Sequence, residues 1–166
     1  MKDDLRSAWV YFVRPGLNLL QAQGFATNQA VRAAVLAAGY MISGYRQRVE
    51  HGNNYRVGFW RMTFGQVSGV MRDPRFSSAG ERLSSVLALP YDRALTLHVA
   101  VGHNDYLAPA FAAFHLLAGP ASVTGPNPIS LLRPAAQLRA VYIDDRWPGA
   151  WKDGVWLEAT DVVLNG

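Results

Sequence analysis

The stretch 29–44, QAVRAAVLAAGYMISG, limits the possible folds of this chain more than any other. Val31, Val35, Ala38 and Ile42 fall at i, i+4, i+7 and i+11, so a helix over residues 29–42 carries them along one face. Thr27 or Asn28 stands where an N-cap is needed. The many alanines allow neighbours to approach closely, as the central helix of a core requires. Ile42 then belongs to the buried stripe, at the helix's C-terminal end. A chain of 166 residues, half of them apolar and five of them Trp, is long enough to build one domain (1–166) around such a helix.

Other segments supply partners for it. Residues 2–13 read as a short helix docking at the entrance to the core. Pro15 suits the first turn of a second helix over 15–23, which Gly24 stops. Gly52, Asn53 and Asn54 make 44–57 an irregular connection with at most a short β-hairpin. A helix is expected over 60–71, ending before Asp73-Pro74 because the residue preceding a proline is pushed out of the α region. Further helices are expected over 78–88, from Pro90 to about Gly102, and over 106–117, where Phe111, Phe114 and Leu117 make a core face. His103-Asn104-Asp105 breaks one helix and caps the next. Residues 118–128 form a Gly/Pro loop, 130–142 a helix interrupted at Pro134, 146–151 a turn, and 152–164 a last helix with Trp156 and Val163 inward. The expected class is a mainly α single domain with short connections.

Charge and composition narrow the function classes. There is no cysteine, which excludes disulfides and thiolate-ligated metal sites. The N-terminus, MKDDLRSAW, lacks the pattern of a signal peptide, and the apolar runs 33–45 and 107–118 are shorter than the roughly 20 residues of a spanning helix. The expectation is a soluble protein. Between Gly44 and Arg75 six arginines (46, 48, 56, 61, 72 and 75) stand against Glu50 and Asp73, a net of +4 that equals the whole chain's net charge. A local basic surface of this kind suits nucleic acid, an acidic protein face or an anionic wall polymer. A solvated helix edge is the alternative.

The stretch 39–62, GYMISGYRQRVEHGNNYRVGFWRM, resembles the active-site region of lysozyme-like proteins encoded by tailed bacteriophages. In those proteins a helix ends in Glu-Ser-(Gly/Arg)-aromatic, and a Gly-(Leu/Phe)-(Phe/Trp)-Gln-(Met/Phe) run follows a short loop. Ser43, Gly44, Tyr45, Gly58, Phe59, Trp60 and Met62 match. The catalytic Glu falls at Ile42 and the usual Gln at Arg61. Shorter echoes continue in order: residues 12–20, 69–74, 103–108 and 145–149. The resemblance implies a lysozyme-like helical fold and a phage source. It does not imply activity, because function resides in the site.

Glycoside cleavage needs a carboxylic acid whose pKa is raised by an apolar setting. Isoleucine neither gives nor takes a proton, and loss of a general acid alone costs on the order of 10²–10⁴-fold. Glu50 is the nearby carboxylate that a relocated acid would use, but Arg46, Arg48 and Arg56 would lower its pKa, the wrong direction. His51, His98, His103 and His115 show no metal-ligand spacing; His103 with Asp105 reads better as a helix cap, and His115 as a core histidine. Ser43 has no base beside it. Asp144-Asp145 reads as a solvated turn. Neither a metal nor a cofactor is expected. Trp60 is expected in the core, whereas Trp147 and Trp151, flanking Pro148-Gly149, suit an interface with a saccharide or a partner.

The resulting expectation is a non-enzymatic virion component in the head, head–tail neck or tail of a phage, made in the host bacterial cytoplasm. It would assemble as a symmetric homo-oligomer with other virion proteins, its basic surface (Arg46, Arg48, Arg56, Arg61) toward an acidic neighbour or DNA. Two alternatives remain: a virion-associated peptidoglycan hydrolase or lytic transglycosylase with a relocated acid, and a peptidoglycan-binding module.

Overall fold

A computed structural model describes residues 1–46, 49–50, 56–118 and 152–166. The helix foreseen at residues 29–42 is the hub. Here α3 (Gln29–Ser43) starts at Asn28, whose side chain accepts a hydrogen bond from Val31 N at 2.9 Å, and it ends at Gly44 in the left-handed conformation (φ 59°). Residues Ala33 to Gly39 are buried without interruption, the mark of a helix enclosed on all sides. Ile42 is half-buried and packs against the core rather than lying within it.

Before it, α1 (Lys2–Ala8), a π-helical segment (Trp9–Val13) and α2 (Arg14–Ala22) form one uninterrupted run. Two helices separated near Pro15 were expected. The wide π turn immediately precedes the proline and accommodates its missing N–H, so the chain continues instead of breaking. Gly24 ends the run at φ 84°.

Three two-residue strands follow α3: β1 (Val49–Glu50), β2 (Arg56–Val57) and β3 (Met62–Thr63). They pair antiparallel in sequence order, with Glu50 opposite Arg56 and Val57 opposite Met62. The described residues are thus mainly helical with one small antiparallel sheet. The helix expected over 60–71 starts later. Residues 58–61 form a tight turn, with Gly58 at φ 72° and Arg61 at φ 50°, and α4 is Phe64–Arg72. A reciprocal capping box between Thr63 and Gln66 opens α4.

Next come α5 (Ser77–Val86), α6 (Ala94–His103) and α7 (Leu107–Leu117). Instead of starting at Pro90, α6 begins at Ala94, because Tyr91 folds back to cover Gly80. Asn104 caps α7 as expected, its Oδ1 accepting from Tyr106 N and Leu107 N, each at 2.9 Å. Phe111 and Phe114 are fully buried. Finally α8 (Asp153–Asn165) turns Trp156 and Val163 inward, and its contact with α3 is the most extensive between any two described elements. The expected loop at 118–128 beyond Ala118, the helix at 130–142 and the turn at 146–151 lie outside the described residues. Among those described, no helix is long and apolar enough to cross a membrane.

Candidate functional site

The C-terminal end of α3 meets the sheet through a packed aromatic group. Trp60 is 2 % exposed and donates from Nε1 to Val35 O at 2.7 Å. The Tyr45 hydroxyl donates to Leu36 O at 2.8 Å. Each carbonyl oxygen has a second lone pair for these bonds, so the helix ladder is kept. Rings of Phe12, Tyr45, Phe59 and Trp60 stack edgewise or tilted, the closest pair being Tyr45 and Phe59 at 5.3 Å between centroids. Burial pushes the Tyr45 phenol well above its ordinary pKa.

Small residues permit this closeness. Gly39 lies under the Tyr45 ring, and Gly102 on α6 lies against Val57, where a Cβ would come within 2.7 Å of the valine's own Cβ. The imidazole of His98, 2 % exposed, hydrogen-bonds Met62 O at 3.0 Å and ties α6 to β3. His98 is therefore a structural histidine.

Ile42 occupies the last turn of α3 at this junction. Ser43 beside it is engaged with the backbone: its Oγ donates to Gly39 O at 2.9 Å and accepts from Tyr45 N at 3.1 Å. That leaves Ser43 as a helix-end cap rather than a nucleophile. Several described carboxylates are engaged elsewhere. Asp73 holds Arg75 at 2.6 Å, which keeps the Asp73 carboxyl below its usual pKa range, and Glu158 and Asp161 share Lys2 at 3.1 Å each. Glu50 lies on β1, but its side chain falls outside the described residues.

The described arginines of this stretch lie in different settings. Arg46 is exposed just beyond α3 and Arg56 is half-buried on β2. Arg61, expected on the basic surface, is only 9 % exposed, because the left-handed turn that seats Phe59 and Trp60 also draws it inward. Arg72 donates to Ser68 O within α4, and Arg75 is paired with Asp73. From Phe64 to Arg72 the helix rise is about 12 Å, which separates these two from Arg56. Arg48, Trp147, Trp151, His51 and Asp144-Asp145 lie outside the described residues.

A second feature was legible only in part. Gln66 Oε1 accepts from Thr63 N at 2.7 Å, which fixes the amide so that its Nε2 faces His115 Nε2, also at 2.7 Å. An amide NH₂ donates, so His115 Nε2 is the acceptor and the ring carries its proton on Nδ1. The pair lines an open pocket of about 460 Å³ with Thr63, Gly65 and Val70. His115, expected as a core histidine, is half-buried at this rim. The pattern Thr63-Phe64-Gly65-Gln66 signals the capping box in the sequence; the histidine arrives from α7 and leaves no local trace. Among the described residues no group of three or more His, Asp or Glu is placed to hold a metal ion.

No protein-family model matches this chain, and neither does any curated protein or solved structure.

Proposed function

We propose that this chain is a non-enzymatic structural component of a tailed-phage virion, built on a degenerate lysozyme-like scaffold. The observation that carries the reading is Ile42. The position that resembles the catalytic acid's holds an apolar side chain packed against the core, in the last turn of α3 before the sheet. Around it the matching residues Tyr45, Phe59 and Trp60 are locked to each other and to α3, as a scaffold retained without its acid would be. Without the acid, the large transition-state contribution from proton donation is absent. The role left to the fold is packing against neighbours in the head, neck or tail, as copies related by symmetry.

Turbidity of purified peptidoglycan tests this with the natural protein, Ile42→Glu and Glu50→Gln. An inert natural protein that also fails to pellet with peptidoglycan is the expected result, and clearing by Ile42→Glu alone would reveal a cleft that lost only its acid. Clearing by the natural protein, abolished in Glu50→Gln, overturns the proposal in favour of a hydrolase. Pelleting without clearing overturns it in favour of a wall-binding module.

A further inference from the structure

The N-terminal end of α3, about 20 Å along the helix from Ile42, borders a recess of about 620 Å³. That volume is in the range of small-ligand sites. Trp9 and Val163 form an apolar wall, Asn18 and Gln21 of α2 form a polar one, and the first residues of α3 with Arg32 complete it.

Among the described residues Arg32 is held without a counter-charge. Its Nε donates to Thr27 Oγ1 at 3.1 Å and Thr27 O at 3.3 Å, its Nη1 to Asn18 Oδ1 at 2.9 Å and its Nη2 to Gln21 Oε1 at 2.8 Å. All four acceptors are neutral. A guanidinium has five N–H groups, so one on each terminal nitrogen remains. None of the described residues lining the recess is a carboxylate. Partial burial lowers the Arg32 pKa, the direction expected of a cation that has lost water without gaining an anion.

Two further sets of donors lie at or beside this recess. Asn28 Oδ1 accepts from Val31 N, so the Gln29 and Ala30 amides at the start of this fifteen-residue helix have no partner within it. They add the positive end of the helix dipole to the charge of Arg32. Independently, Trp9 lines the recess at 3 % exposure, and its buried Nε1–H meets no acceptor among the described residues. A buried indole N–H without a partner is costly, and an acceptor entering the recess removes that cost. Trp9 also opens the π-helical segment, a geometry that recurs at functional sites.

We infer that this recess binds an oxyanion, a phosphate or carboxylate group of a small polar molecule, between Arg32, the first amides of α3 and the Trp9 indole N–H. Donors of three kinds belong to residues that line or adjoin it, whereas every acceptor that contacts Arg32 is already engaged. A neutral or cationic ligand would leave the charge of Arg32 uncompensated.

The test is a titration of ¹H–¹⁵N spectra with inorganic phosphate and, separately, with acetate, at fixed pH and ionic strength. The Trp9 indole signal is assigned by its loss in Trp9→Phe. Expected are saturating shifts of that signal and of the Gln29 and Ala30 amides, all described by one dissociation constant. Arg32→Gln should weaken binding by roughly tenfold or more, as loss of a charged hydrogen bond does. Gln29→Pro provides a second variant that keeps the helix: proline is at home at N1, and Asn28 already has the extended conformation (ψ 169°) that a residue before proline adopts. It removes one donor amide and should also weaken binding. Saturation by phosphate alone assigns a phosphate ester, and saturation by acetate as well assigns a carboxylate. Shifts that fail to saturate with either anion, or that persist undiminished in Arg32→Gln or, should that variant not fold, in Gln29→Pro, overturn the inference.

Discussion

The Tyr45 ring rests on Gly39 so closely that a Cβ on residue 39 would lie 2.5 Å from the phenolic oxygen and 2.6 Å from two ring carbons. The ring has little room to retreat, being held by the hydrogen bond to Leu36 O and wedged between Phe59 and Trp60. Gly39→Ala should therefore destabilise the fold by about 1–3 kcal/mol despite the better helix propensity of alanine. The check is a double-mutant cycle in urea: with Tyr45→Ala already in place, adding Gly39→Ala should cost little or nothing. Equal costs in both backgrounds would mean that the ring does not set the requirement for glycine.

High pH should weaken this domain through the same phenol. Burial holds Tyr45 well above its ordinary pKa, and Tyr91 is pushed up to about 12 by burial and then by Glu81. Unfolded tyrosines ionise near pH 10, at about the free value. Above that pH the native state keeps protons that the unfolded chain releases, so stability falls as pH rises. Urea midpoints should be flat below about pH 9 and decline toward pH 12, with a shallower decline in Tyr45→Phe.

Two buried polar groups should respond oppositely to simplification. Trp60 Nε1 has its acceptor, and Trp60→Phe loses both that bond and packing, for a cost of about 1–3 kcal/mol. The Tyr91 hydroxyl is buried over Gly80 with no partner among the described residues. Removing it by Tyr91→Phe should be neutral or stabilising by up to about 1 kcal/mol. Thermal melts of the two variants, read side by side, test the contrast.

Local signals in the sequence were sufficient where structure is locally caused. The apolar face of α3, its Asn28 cap, the Asn104 cap and the Phe111–Phe114 face of α7 follow from spacing and side-chain chemistry within a few residues. The misread segments are those set by distant partners. Trp60 is drawn from a helix into a turn by the Val35 carbonyl of α3, and Tyr91 delays α6 by covering Gly80. Arg61 reads as a surface cation in one dimension, but the backbone needed to seat two aromatics buries it. The recess at Arg32 was not legible at all, since its walls come from the π segment, α2, α3 and α8.

The seam between α1 and α8 has a kinetic consequence. Lys2 reaches Asp161 across 159 positions, and among the described elements α8 also supplies the broadest partner surface for the central helix. Contacts of such sequence separation are delayed by the entropy of closing the intervening chain. In the time course of folding, the alanine flank of α3 must stay wet until this most distant helix returns. The hub of the finished molecule is therefore one of its last surfaces to dry, and for that interval it is open to an identical helix from another chain.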